Sequence, residues 1–380
     1  MGNIDIYFSN FFKVTFEDLD KYGAFNISLI NDLPLFIDPF LLFNSKKHEY
    51  QELHKGILRY MKFLRDKSAT AQIGSGLIRS WYVFPEVRQS WLGFSRVGNK
   101  GLGLKDDFAV ALHKNLHAVF SNFGNEKITH SSHLEKLCLI KDGIGRDKIS
   151  DFTTNLIKEF LLEYTQKFAV QYIHKRLRRK VAVNKVRFNY DTETWESDRF
   201  DLPWYMGDYI LLTPKDILTK DETWINRSDL YDSFQTIPSA ILNEQLRAQI
   251  NNYFLSVLPR QPTAQDHHKA VATVIEKFPV ILDYYIRQKE DAGEEAVSIS
   301  NQKISQAETQ YIKQIGELAE ILRKQSGFYD TSGLTYKEAL ARVRFLKDVI
   351  ESKDGYRLFY SRFEQIFRVK VELGELCWSA

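Results

Sequence analysis

From His48 to Asp66 the apolar side chains recur at three-and-four spacing, through Leu53, Ile57, Tyr60, Met61 and Leu64. Such a stripe has to be buried along one face of a helix, so the chain must supply partners for it. Ile149, Phe152, Leu156, Phe160, Tyr164 and Phe168 repeat the pattern and predict one long helix, running out in "HKRLRRK", residues 174–180. Cations in a last helical turn would oppose the partial negative charge there. The period then changes to two. "VAVNKVRFNY" reads as a strand, "DTETW" as a turn and "DYILLTPKDIL" as a buried strand ending at Thr213. "LEKLCLI" reads as a further short strand. Asp38-Pro39 and Thr213-Pro214 each mark a helix start, with proline where its missing N–H is no loss.

The last third is helical. "AQDHHKAVATVIEKF" meets Pro279, where the helix should kink or restart. Beyond it Tyr311, Ile315, Leu318 and Leu322 form the seam of a helical hairpin. The expectation is an α+β chain dominated by helices, with small β-sheet elements in the N-terminal two thirds and a helical C-terminal part. "LPRQPTAQ", residues 258–265, is the best boundary, giving a mixed domain over 1–260, a helical hairpin or bundle over 261–360 and a divergent tail over 361–380.

An apolar content of 44% over 380 residues supports sizeable cores and excludes a disordered polymer. With 52 Lys and Arg against 49 acidic residues, any basic surface must be local. Cys138 and Cys377 are too few for a disulfide framework or a four-cysteine zinc site, which fits a reducing compartment. No secretory leader and no run of eighteen uncharged apolar residues is visible, so a cytoplasmic protein without a membrane partner is expected.

Four stretches carry candidate chemistry. In "DGIGRDKISDFTTNLIKEFLLEYTQ", residues 142–166, Asp147 is placed to cap a first helical turn, and Asp147 and Asp151 share a helix face. With Asp142 from the loop they form a set of carboxylates suited to magnesium, an ion that wants oxygen ligands and keeps waters for hydrolysis. Lys148 and Gln166 complete this candidate catalytic set. The bland reading is a charged helix start. In "HKRLRRK", Lys175, Arg176, Arg178, Arg179 and Lys180, followed by Lys185 and Arg187, form the best nucleic-acid patch, against the alternative of a solvated helix end. "WLGFSRVGNKGLGL", residues 91–104, is glycine-rich with Arg96 and Lys100, but matches no phosphate-loop spacing. His113 with His117, and His130 with His133 and Cys138, have spacings that permit zinc but lack the accompanying glutamate or paired cysteines.

"GIGRDKISDFTTNLIKEFLLEYTQ", "LPWYMGDYILLTPKDIL", "DYYIRQKEDAGEEA" and "FLKDVIESKDGYRLFY" resemble, in that order, the N-terminal region of a bacterial, defence-associated family whose longer members end in a PD-(D/E)XK nuclease domain. The resemblance runs from about Asp38 to Tyr360. It implies a magnesium-dependent nuclease after that region, with an aspartate on one strand and Glu-x-Lys on the next. The final twenty residues depart from the pattern and hold no Glu-x-Lys. Glu351-Ser352-Lys353 matches literally but lies in a segment with helical spacing, the wrong geometry for a nuclease strand. The expected function is therefore a nucleic-acid-binding or sensing component of a bacterial anti-phage system, binding DNA or RNA, with nuclease activity supplied by a partner protein or by a longer homologue. The enzyme alternative is a magnesium-dependent nuclease or phosphodiesterase built on Asp142, Asp147 and Asp151. The second alternative is a protein–protein scaffold using the C-terminal hairpin.

Overall fold

The computed structural model describes residues 7–29, 32–69, 73–93, 106–120, 122–140 and 144–313. Their arrangement is α+β, with helices dominant and small antiparallel sheets in the N-terminal two thirds. Two short helices open it, α1 (Phe8–Phe12) and α2 (Phe16–Tyr22). Strand β1 (Leu35–Ile37) leads into α3 (Pro39–Phe43), where the Asp38 carboxylate accepts the Phe40 N–H at 3.0 Å and Pro39 takes the first helical position. The stripe after His48 becomes α4 (His48–Ser68), which buries Tyr50, Ile57, Tyr60, Met61 and Leu64. Helices α5 (Ser75–Tyr82) and α6 (Asp106–Val119) pack with it.

"LEKLCLI" is not a strand. It winds into α7 (Lys136–Ile140), because the N–H groups of Lys136, Leu137 and Cys138 find carbonyls three residues back, at His133, Leu134 and Glu135. The long helix is also broken. It divides into α8 (Arg146–Leu156) and α9 (Lys158–Tyr172), with Ile157 between them at φ −101° and ψ 16°. The reason lies in "FTTN": the Thr153 and Thr154 hydroxyls donate to the carbonyls of Ile149 and Ser150, each at 2.7 Å, and Asn155 Nδ2 donates to Asp151 O at 2.8 Å. Side chains that bond to the preceding turn bend and weaken a helix.

Helix α9 stops at Tyr172, so "HKRLRRK" is not its last turn. Lys175–Leu177 form a single 3-10 turn, and Arg178 already begins β2 (Arg178–Asn189). This strand pairs with β3 (Thr194–Tyr205), and β3 with the short β4 (Asp208–Tyr209), while α9 lies against β2 and β3. The segment expected as a strand to Thr213 is buried and extended beyond Tyr209, but forms no ladder. Its donors go singly to different segments: Ile210 N to Pro203 O at 2.9 Å, Leu211 N to Gln89 O at 2.8 Å, and Leu212 N to Thr165 Oγ1 at 2.9 Å. Pro214 precedes a 3-10 turn, after which β5 (Leu218–Lys220) pairs with β1.

Helices α10 (Arg227–Asp232), α11 (Glu244–Val257), α12 (Ala264–Lys277), α13 (Val280–Asp291) and α14 (Gly293–Glu308) complete the described chain. Residues 258–263 join α11 to α12, and the helix restarts after Pro279 as its ring requires. Of the C-terminal seam, Tyr311 is buried, whereas Ile315, Leu318, Leu322 and the Glu351-Ser352-Lys353 match lie outside the described residues. One buried apolar cluster extends from Tyr7 to Ile312. Two bonds join its distant parts: Tyr7 Oη donates to Tyr311 O at 2.8 Å, and Asn44 Nδ2 donates to Gly293 O at 2.8 Å. A Cβ at Gly293 would collide with the Asn44 side chain, so a larger residue there would displace that side chain from its bond to Gly293 O.

At the start of α12, Thr263 Oγ1 accepts the Asp266 N–H at 3.2 Å and Asp266 Oδ2 accepts the Thr263 N–H at 3.0 Å. Thr263→Ala is expected to lower stability by about 1 kcal/mol, read as a lower urea midpoint at unchanged slope.

Candidate functional site

Asp147 and Asp151 stand one turn apart on α8, as their spacing dictates. Asp147 does not cap the helix: Gly145 occupies the cap position and no side chain caps there, so Asp147 contributes charge to the first turn instead. Backbone approaches it closely. A Cβ at Gly93, whose φ is 118°, would lie 3.3 Å from Asp147 Oδ1. Asp151 is pushed up to about 8 by burial and by the carboxylates of Asp147, Glu86 and Asp32. Four acidic residues from three separate segments thus converge at the start of α8. Asp142 lies outside the described residues, as does the glycine-rich stretch from Phe94 to Leu104 with Arg96 and Lys100.

Lys148 is half-buried on the same helix. Gln166 belongs elsewhere: from α9 its Oε1 accepts the Asp201 N–H at 2.6 Å, tying helix to sheet. Asp32 and Glu86 escaped the sequence reading, because nothing local to either residue announces a neighbour on α8. Among the described residues, no group of three or more His, Cys, Asp or Glu side chains is placed to hold a metal ion.

His54 and His133 are absorbed into a buried polar network, whereas His117 and His130 are exposed. His133 Nε2 lies 2.9 Å from Glu290 Oε1, and the Glu290 carboxylate also accepts the N–H groups of His130 at 2.7 Å and Ser131 at 2.9 Å. His54 Nε2 meets Ser131 Oγ at 3.0 Å, and burial, with His133 nearby, pushes His54 down to about 3, so its ring is neutral. Beside them the Lys136 ammonium binds Asp283 Oδ1 at 2.6 Å and Asn122 Oδ1 at 3.3 Å, with Lys136 and Asp283 side chains only 6% and 9% exposed. Asp38, which accepts the N–H groups of Phe40 and Trp224, is pushed up to about 6 by burial. Glu135 next to it is held well above the ordinary carboxylate range by burial and by the Asp38 charge. Burial also raises the Cys138 thiol, which removes it as a thiolate ligand or nucleophile. His113 is buried edge-on to the Tyr82 ring, 5.1 Å between centroids.

The cationic run is split by the hairpin. Arg187 is ringed by Glu159 at 2.6 Å, Glu196 at 2.9 Å and Asp198 at 3.0 Å, so its charge is more than matched. Arg178 pairs with Asp201 at 3.4 Å and is 12% exposed. Lys185 points inward, its Nζ donating to Ser80 O at 3.3 Å. The other end differs. Lys175, Arg176, Arg179 and Lys180 are exposed, and across the ladder Arg199, opposite Ala182, is exposed with them. Among the described residues none of these five is held in an ion pair. The Arg179 guanidinium stacks over the half-buried Trp204 ring, 4.8 Å from its centroid.

The fold and these sites define a helix-rich α+β protein with a cationic hairpin end and a separate carboxylate cluster. The chain belongs to the family described as a domain of unknown function, DUF8370, whose model matches residues 13–226, a span that includes both features. No curated protein and no solved structure matches it. No helix among the described residues is long and apolar enough to cross a membrane.

Proposed function

We propose that the chain binds nucleic acid through the hairpin end formed by Lys175, Arg176, Arg179, Lys180 and Arg199. It would serve as the binding or sensing component of a bacterial defence system, with nuclease activity supplied elsewhere. The observation that carries this reading is the exposure of five cations, unpaired among the described residues, on one turn and two adjacent strands. Cations without protein partners exchange their counterions for phosphates, which drives association. The Arg179–Trp204 stack adds an aromatic surface of the kind on which bases stack.

The test is fluorescence anisotropy with single- and double-stranded DNA and RNA over a salt series. Lys175→Ala, Arg176→Ala and Lys180→Ala combined are expected to weaken binding at least about tenfold and to reduce the salt slope by about 2 to 3. Arg187→Ala, which removes a guanidinium already matched by carboxylates, is expected to leave affinity within about twofold. Equal affinity of the triple variant and the parent would overturn the proposal.

A second reading is a magnesium-dependent phosphodiesterase at Asp147 and Asp151. It is supported by the convergence of Asp32 and Glu86 on the same place, since crowded carboxylates are what a divalent cation relieves. Metal-dependent cleavage of a nucleic acid, abolished by Asp147→Asn in a folded chain, would establish it.

A further inference from the structure

Two lysines at the β2 bulge place their ammonium groups on backbone carbonyls. The β2–β3 register shifts between Val183, opposite Asp198, and Arg187, opposite Glu196. Three β2 residues, Asn184 to Val186, therefore face one on β3, Ser197. Lys185 sits at φ 53°, the left-handed region, which is strained for a side-chain-bearing residue. This turn lets Val183 and Val186 both reach the core and sends the Lys185 side chain to the end of α5, where Nζ donates to Ser80 O. Lys158, the first residue of α9, reaches the same bulge: its Nζ donates to Asn184 O at 2.9 Å, the carbonyl of the peptide that joins Asn184 to Lys185.

Each ammonium has three donors and uses one of them on a backbone carbonyl. Among the described residues neither lysine has a carboxylate within ion-pair distance. The acid whose field reaches Lys158 is Asp208, and its two oxygens accept from Gln89 Nε2 and from the Tyr209 N–H, each at 2.8 Å. Ser197 Oγ donates to Asn184 Oδ1 at 3.0 Å, which orients the exposed Asn184 amide and leaves its NH₂ available. Burial and the neighbouring Lys185 press the Lys158 ammonium down to about 8, and burial lowers Lys185 as well. Half-burial keeps both side chains within reach of solvent.

We propose that this bulge is a binding site for a phosphate group, held by Lys158 Nζ, Lys185 Nζ and the Asn184 amide. A tetrahedral dianion neutralises both ammonium groups at once and offers separate oxygens to donors arriving from α9 and β2. The site stands apart from the hairpin end and does not rest on the nucleic-acid reading. The phosphate is supplied either by a small phosphomonoester or by the terminal phosphate of a nucleic acid.

The full chain is titrated with inorganic phosphate at constant ionic strength, following the thermal midpoint and the ³¹P resonance. A phosphate-specific rise in the midpoint is expected, with affinity falling at least tenfold in Lys158→Gln and in Lys185→Gln and retained in Lys158→Arg. Oligonucleotides with and without a 5′-phosphate then separate the sources. A preference for the phosphorylated strand that Lys158→Gln removes assigns the group to a nucleic-acid end. Equal binding of the two strands, with the inorganic phosphate response intact, assigns it to a small ligand. Absence of any phosphate-specific response in the parent chain, or a response unchanged in both glutamine variants, overturns the proposal. Loss of oligonucleotide binding with the phosphate response intact would remove only the nucleic-acid reading.

Discussion

Asp283→Ala is expected to lower the unfolding free energy by about 3–5 kcal/mol, because it strands a buried ammonium. Lys136 and Asp283 meet at 2.6 Å with almost no exposure. Asn122 Oδ1 at 3.3 Å is a neutral acceptor, and the Glu126 carboxylate at 4.0 Å is too far to replace Asp283. The pair itself is a different matter from its broken half. Replacing both members by apolar residues of similar volume, Lys136→Met with Asp283→Leu, should recover only part of the loss: the desolvation of two charges is removed along with their attraction, but the buried Glu126 carboxylate loses its cation and Asn122 loses both partners. Urea unfolding of the parent, the single variant and the double variant checks this. A single variant within about 1 kcal/mol of the parent would show that water reaches Lys136 and that the junction between α7 and α13 is less dry than its exposure indicates.

The second large effect is a pH dependence centred on Asp151. Its carboxyl is pushed up to about 8, whereas in the unfolded chain it titrates near the ordinary aspartate value, about 3.9. Between those values the folded chain holds the proton and the unfolded chain does not. Stability from this group is therefore complete below about pH 4 and falls as pH rises, at up to about 1.4 kcal/mol per unit, until it is lost above about 8. Asp151→Asn removes the titration. The variant is expected to gain on the parent as pH rises from about 5 to about 8.5, so the difference in urea midpoint should grow with pH. Asp38, pushed up to about 6, slopes the same way, but is common to both chains and cancels in that difference. A difference that stays constant over that range would show that Asp151 is ionised throughout.

What could be read from the sequence was what is local. The α4 stripe, the Asp38-Pro39 start, the restart after Pro279 and the β2 strand with its turn all follow from periodicity or from one residue's backbone chemistry. The break at Ile157 was available in principle, since two threonines and an asparagine in succession compete for helical carbonyls, but the apolar stripe runs through them undisturbed. "LEKLCLI" failed because so short an apolar-rich run carries no period long enough to separate strand from helix. Residues 210 to 213 read as a strand because they are buried and extended, yet their bonds go to isolated partners, a distinction that exists only in three dimensions.

The sites divide along the same line. Asp147 and Asp151 share a face because helix geometry requires it, while Asp32 and Glu86 join them only through packing. Counting cations in "HKRLRRK" and the strand after it puts Arg178 and Arg187 level with Lys175 and Lys180. Strand pairing placed Asp201 beside Arg178, and Glu196 and Asp198 around Arg187, so one cationic run became an exposed end and a neutralised one. The functional part of a charge run is what remains after the partner strand has matched the rest.

The bond from Tyr7 to the carbonyl of Tyr311 has a bearing on biosynthesis. A ribosome delivers amino acids at roughly 5–20 per second, so some 300 of them separate the two groups by about 15–60 s. Throughout that interval the buried Tyr7 hydroxyl is without its acceptor, because the backbone at Tyr311 has not yet been made. The link between the two ends of the described chain therefore forms only after elongation has passed Tyr311.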